Sequence, residues 1–181
     1  MTKGAITRLM GEVNMRIELV EVKETEKSVL RRLMELYAYD FSEYDNEDVN
    51  EHGLYSYRYF DHYWTDDTRH PLFIRVDGRL AGFVMINEYC DVVKEPGART
   101  MAEFFVMRKY RRKGIGKAVA VQVFDRFPGK WEVIQHGNNK PSQLFWEEVI
   151  REYTSGKYRQ EKAVTESWEG IALIFDNSPG G

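Results

Sequence analysis

Six of the ten residues from Arg108 to Lys117 are basic, and two glycines, Gly114 and Gly116, stand among them directly after an apolar run. A glycine-rich turn ahead of a helix offers unpaired backbone N–H groups and the positive end of a helix dipole, which suit an anion, above all a phosphate. Spacing narrows the choice. A nucleotide P-loop requires GxxxxGK followed by Ser or Thr, but Ala118 follows Gly116-Lys117 and no glycine stands five residues before Gly116. A dinucleotide fingerprint requires a third glycine or alanine, where this chain has Val119. Taken alone, the turn reads equally as an anion site or as a solvated helix start with a basic fringe. The four histidines (52, 62, 70, 136) lack the helical HxxxH spacing of a metal site, and Cys90 is the only cysteine, so neither a metal site nor an internal disulfide is expected.

The elements around the turn can be read from periodicity. Residues 15–22 alternate apolar and polar, as a strand does. From Glu24 the period becomes helical, with Val29, Leu33, Leu36 and Tyr37 on one face. Residues 71–89 read as two strands around Asp77-Gly78, a strong hairpin signal, and 99–107 as the strand before the glycines. After them Ile115, Val119, Val123 and Phe127 share a helix face, stopped by Pro128-Gly129. A strand at 130–136 follows. A helix then carries Leu144, Phe145, Trp146, Val149 and Ile150 on its apolar side, and two closing strands end the chain. Residues 1–13 read as a loose extension, 14–178 as a single domain and 179–181 as a frayed tail. The expectation is one α/β domain with a central mixed, mostly antiparallel sheet flanked by helices. The charge balance, 26 basic against 29 acidic residues in 181, speaks against a general nucleic-acid binder. No apolar run reaches the roughly 20 residues of a membrane span, and the first twenty residues lack the apolar run of a secretory signal. A lone cysteine fits a reducing cytoplasm.

FFVMRKYRRKGIGKAVA resembles the acetyl-CoA signature of the GNAT superfamily of N-acyltransferases: Arg111, two residues, Gly114, one residue, Gly116, with an apolar strand before and a helix after. NKPSQLFWEEV (139–149) is similar to the family's second motif, matched at Asn139, Phe145 and the aromatic Trp146, with Ser142 in place of a small alanine. The order of elements from residue 15 onward agrees. The resemblance implies that the backbone of Arg111, Arg112, Lys113, Gly114, Ile115, Gly116 and Lys117 holds the pyrophosphate of coenzyme A, with the basic side chains attracting its ribose phosphate. It implies a sheet splayed between the strands at 99–107 and 130–136, where Phe104, Phe105 and Val106 pair with the pantetheine amides as with a surrogate strand. Asn139 would bond the cofactor's other flank, although as a residue it reads equally as a helix cap.

Acetyl transfer to an amine requires a neutral nucleophile, a donor for the developing oxyanion and a departing thiolate. Glu103 is the candidate base, on the strand face opposite Phe104 and Val106; its other reading is an ordinary solvent-facing carboxylate. A backbone N–H near Val106 is the candidate oxyanion donor. Many relatives have tyrosine where this chain has Trp146, whose indole is no proton source. Tyr153 is a substitute acid, or else a core residue beside Phe145 and Val149. Residues 40–67 carry nine acids and one base, and ten aromatics lie between Tyr37 and Trp64. They form either an acidic aromatic wall for a cationic amine, or a solvated helix with buried rings, part of it available to a homodimer. The expected function is acetyl transfer from acetyl-CoA to a small or peptidyl primary amine, without metal, nucleic acid or membrane. The alternatives are a non-catalytic acyl-CoA sensor and a basic-patch module for nucleic acid or phospholipid.

Overall fold

The computed structural model describes residues 6–10 and 13–179. Eight strands form one sheet: β1 (Ile6–Met10), β2 (Val13–Glu21), β3 (His70–Val76), β4 (Arg79–Asn87), β5 (Arg99–Val106), β6 (Lys130–His136), β7 (Arg159–Val164) and β8 (Glu169–Asp176), in the order β1-β2-β3-β4-β5-β6-β8-β7. Every neighbouring pair is antiparallel except β5 and β6. The helices are α1 (Lys27–Asp45), α2 (Ile115–Arg126) and α3 (Lys140–Tyr153), with short 3-10 turns at Glu24–Glu26, Phe60–Trp64 and Arg108–Tyr110. Asp77 and Gly78 both take positive φ, 49° and 76°, as a two-residue hairpin turn requires. The extension expected to be loose contains β1, paired with β2. Of the expected frayed tail, Gly180 and Gly181 lie outside the described residues.

Two apolar layers cover the sheet. On one face Leu30, Leu33 and Met34 of α1 pack with Phe60 and Tyr63 onto Phe73, Phe83, Met85 and Phe105. On the other, α2 and α3 bury Ile115, Val119, Val123, Trp146, Val149 and Ile150 against Leu72, Ile74, Val84 and Ile86. Two residues assigned to buried helix faces by periodicity, Leu36 and Leu144, are exposed (52% and 69%). Each sits at the edge of an apolar stripe narrower than the list of apolar residues suggested.

β5 and β6 pair only at Arg99–Trp131 and Thr100–Glu132. Immediately beyond, β5 bulges against β4: Glu103 faces Met85 and Met101 faces Ile86, leaving Ala102 as the extra residue. A bulge bends its strand and increases the local twist, which accounts for the separation beginning there. The expected splay is therefore present, and its cause is local to β5.

Candidate active site

Past Thr100 no strand covers the β6-facing edge of β5 among the described residues. Met107 donates its N–H to the Ala81 carbonyl near the start of β4. By ladder alternation the backbone groups of Val106 and Phe104 then point to the side β6 has left. The chain continues from this edge into the glycine turn. Arg112 (φ 59°) and Gly114 (φ 70°) take left-handed conformations, and Gly114 caps α2. Left-handed residues in a tight turn make the concave backbone that anions use. The first i→i−4 bond of α2 is donated by Ala118 to Gly114, so the N–H groups of Ile115, Gly116 and Lys117 precede the helical ladder. Arg112 and Lys113 are exposed beside them. The side chain of Ile115 is buried, leaving only its backbone to a ligand. A Cβ on Gly116 would meet the Phe145 ring at 3.2 Å; this glycine makes room for α3 rather than for a ligand's approach. Phe145 and Trp146 close the wall behind, with Trp146 4.9 Å from Phe104, edge to face.

Glu103 lies on the opposite face of β5 with Phe105, as alternation predicted, but it does not face solvent. The hydroxyls of Tyr37 of α1 and Tyr57 of the segment after α1 stand near its carboxyl. Burial raises its pKa from 4.5 to about 7, even though those two hydroxyls work to lower it. The side chain is half-buried, and desolvation is the largest influence on its carboxyl. Tyr37 is pushed well above its ordinary range by burial first and by the Glu103 charge second. Its ring packs on Phe83 and Phe105. Nearby, Phe41 lies 5.9 Å from the His136 ring and Trp168 5.1 Å from it.

Several expected site residues are engaged elsewhere. Tyr153 donates to Asp125 at 2.8 Å and accepts from Asn177 at 3.0 Å. Asp125 lies ten residues, or about 15 Å of helix, beyond Ile115. The tyrosine is packed with Phe124 and Phe175, so the proposed acid is not brought to Glu103. Asn139 caps α3, its carboxamide oxygen accepting from Ser142 N at 3.0 Å. Arg111 turns away from the glycines, its Nε donating to the Val106 carbonyl at 2.7 Å and its Nη2 to Asp40 at 2.5 Å. Asp40 also takes Arg108 at 2.7 Å. Burial works to raise the Asp40 pKa, but the two arginines outweigh it and hold it below the usual range. Lys117 pairs with Glu152. The acidic wall is likewise partly consumed, with Asp61 on Lys27 and Asp66 on Thr68, Arg69 and Tyr89. The residues that sequence reasoning did not single out are Tyr57, Tyr63 and Asn87. The only signal for the two tyrosines was the density of aromatics between 37 and 64, which does not say which rings turn toward Glu103.

A profile of the acetyltransferase (GNAT) family matches residues 30–150. The chain belongs to the GNAT acetyltransferase family. Solved structures of similar fold agree with this GNAT assignment. An acetyltransferase from Thermus thermophilus superposes with a TM-score of 0.65 at 13% identity, covering 88% of this chain and 96% of that one. An aminoglycoside acetyltransferase in complex with coenzyme A gives 0.61 at 12%, covering 88% and 94%. A spermidine N-acetyltransferase from Vibrio cholerae in complex with CoA and spermine gives 0.58 at 9%, covering 89% and 95%. No curated protein matches by sequence. The donor set of this GNAT domain fits coenzyme A: helix-start N–H groups and exposed cations for phosphates, and an open strand edge for amides. Among the described residues no group of His, Cys, Asp and Glu could hold a metal ion, and no helix is long and apolar enough to cross a membrane.

Proposed function

We propose that this protein transfers an acetyl group from acetyl-CoA to a primary amine by direct attack in a ternary complex, with Glu103 as general base. The observation that carries the reading is Glu103 itself, a carboxyl with pKa about 7 on the strand whose outer edge is open. Acetyl-CoA would supply the activated thioester. The Arg111 N–H is donated to the Arg108 carbonyl, so the backbone of residues 112–117 would hold its pyrophosphate, with Arg112 and Lys113 adding charge. The backbone of Phe104 to Val106 would pair with its amides. An alkylammonium has a pKa of roughly 10. A base poised near 7 accepts its proton while staying available at neutral pH, and an N–H near Val106 is the donor for the acetyl oxygen. Neither Trp146 nor Tyr153 is assigned a proton, so Glu103 is the one acid–base residue. The likeness to enzymes described with aminoglycosides and polyamines supports a cationic amine acceptor.

Thermal unfolding with acetyl-CoA, CoA, ATP and NAD in parallel tests the site. A ligand at about 100 times its Kd stabilises by about 2.7 kcal/mol, and the shift is expected with the two CoA species only. Equal shifts with every polyanion, or none with CoA, would overturn the assignment. An amine panel run with acetyl-CoA then separates a catalyst, which turns over, from a sensor that only binds.

A further inference from the structure

Where β6 leaves β5, a side chain takes the place of the missing strand. The Val106–Met107 peptide unit is held at both ends. Its N–H is donated to the Ala81 carbonyl on the β4 side, and its carbonyl accepts Arg111 Nε at 2.7 Å on the other. The same guanidinium donates from Nη2 to Oδ2 of Asp40 at 2.5 Å, while Oδ1 of Asp40 takes Nη2 of Arg108 at 2.7 Å. Nε and Nη2 share one edge of the guanidinium, so Val106 and Asp40 are met by a planar fork that lysine does not have. Arg111 also lies over the Phe105 ring at 5.7 Å, and Tyr37 packs on that ring at 5.8 Å. Tyr37 and Asp40, three residues apart, share one face of α1. The helix that brings Tyr37 near Glu103 therefore also fixes, through Asp40 and Arg111, the last residue of the same strand.

These contacts limit what Arg111 can do for a ligand. Its Nε is committed to backbone and its Nη2 to a carboxylate whose side chain is only 19% exposed. A phosphate would have to displace charge-assisted bonds, the strong kind, and strand a largely buried charge. What the bonds do instead is fix Val106. With Met107 bonded to Ala81, the next hydrogen-bonded pair along the ladder is Phe105 with Phe83. The peptide units before and after the Val106 Cα are thus both anchored, and the Val106 N–H points to the side β6 has left. Building on the reading of this N–H as the donor for the acetyl oxygen, we infer that Arg111 and Asp40 stand in for β6 at the end of β5 and hold the Val106 N–H in place, rather than binding cofactor phosphate. An oxyanion donor is effective only when its position is set before the reaction. Neither side chain touches a reacting atom; both are positioning residues, Asp40 acting through Arg111. The brace also closes the Val106 carbonyl to the cofactor's amides and leaves them the backbone of Phe104.

Two variants of the full chain test the brace: Arg111→Lys, which keeps the charge and loses the fork, and Asp40→Asn, which keeps the shape and loses the charge. Nitrogen-15 relaxation of the free protein reads the Val106 amide directly. Its order parameter is expected near about 0.85 in the wild type and to fall toward about 0.6 in both variants. With acetyl-CoA and an amine taken from the panel, Arg111→Lys should lower kcat by about 10- to 100-fold, the scale of a misplaced group. KM for acetyl-CoA and Kd for CoA should stay within about twofold, because no phosphate contact is lost. Asp40→Asn should lower kcat as well, and add less than about twofold to Arg111→Lys, since it acts through that residue. A Kd for CoA raised about tenfold by Arg111→Lys at unchanged kcat would make Arg111 a phosphate ligand and overturn the inference. Tighter CoA binding by Asp40→Asn would make Asp40 a competitor for the phosphate and do the same, as would a Val106 amide equally rigid in all three proteins. If Asp40→Asn does not fold, Arg111→Lys decides alone. A wild type that binds CoA and turns over no amine would instead sink the catalytic reading; the brace is then decided by the order parameters and the CoA Kd, so the two failures are distinct.

Discussion

Glu103→Gln is expected to exchange activity for stability, and the exchange depends on pH. Burial raises the carboxyl from 4.5 in the unfolded chain to about 7 in the fold. Below pH 4.5 both states hold the proton and the site costs nothing. Between 4.5 and 7 the unfolded state releases it first, so stability falls as pH rises. Above 7 the loss is complete, at about 3 kcal/mol at 1.36 kcal/mol per unit. Glutamine keeps the shape and stands beside the Tyr37 and Tyr57 hydroxyls without ionising. Denaturant unfolding at pH 8 should therefore find the variant more stable by about 3 kcal/mol, and unfolding at pH 4.5 should find the two proteins nearly equal. The same variant should lose about 10²–10⁴-fold in kcat/KM, as general-base removal does, and the wild-type rate should rise through pH 7. An equal stability difference at both pH values would refute the argument, because it would mean that Glu103 titrates alike folded and unfolded.

Other consequences follow from named contacts. Tyr153→Phe should leave acetyl transfer within about twofold and cost about 1 kcal/mol, because its hydroxyl serves Asp125 and Asn177; a collapse of kcat at unchanged stability would restore it as the acid. Glu132, fully buried, accepts the backbone N–H groups of Asp91, Val92 and Val93 at 2.7, 2.9 and 2.8 Å. Glu132→Ala should cost about 3 kcal/mol or more and open those three amides to hydrogen exchange. Gly82 lies under β5, where a Cβ would come within 1.9 Å of the Phe105 carbonyl oxygen. Gly82→Ala should therefore cost more than about 3 kcal/mol or displace the bulged strand, read by urea unfolding and by loss of the CoA-induced shift in Tm.

Much of this was present in one dimension. Strand and helix periods are local properties of the backbone, so the chain pattern placed β6 at 130–136 and the Asp77-Gly78 hairpin where they lie. The glycine turn was legible for the same reason: left-handed residues and a helix start are decided within a few positions of Gly114. Alternation along β5 also put Glu103 and Phe104 on opposite faces. Leu36 and Leu144 show where the pattern stops being sufficient, since an apolar residue at a stripe's edge is buried only if a neighbour reaches it.

What the sequence determined by itself was therefore the architecture around the turn and the kind of anion-binding backbone it makes. What only the tertiary structure decided was which charges remain for a ligand and which carboxyl is a base. Arg111 and Arg108 were counted with the phosphate turn, but Asp40, about seventy positions earlier in the chain, holds both. Glu103 was one acid among 29 acidic residues until α1 and the segment after it brought Tyr37 and Tyr57 over it. Desolvation and hydrogen-bond direction depend on everything within a few ångströms, and that neighbourhood is assembled from residues that no local period connects.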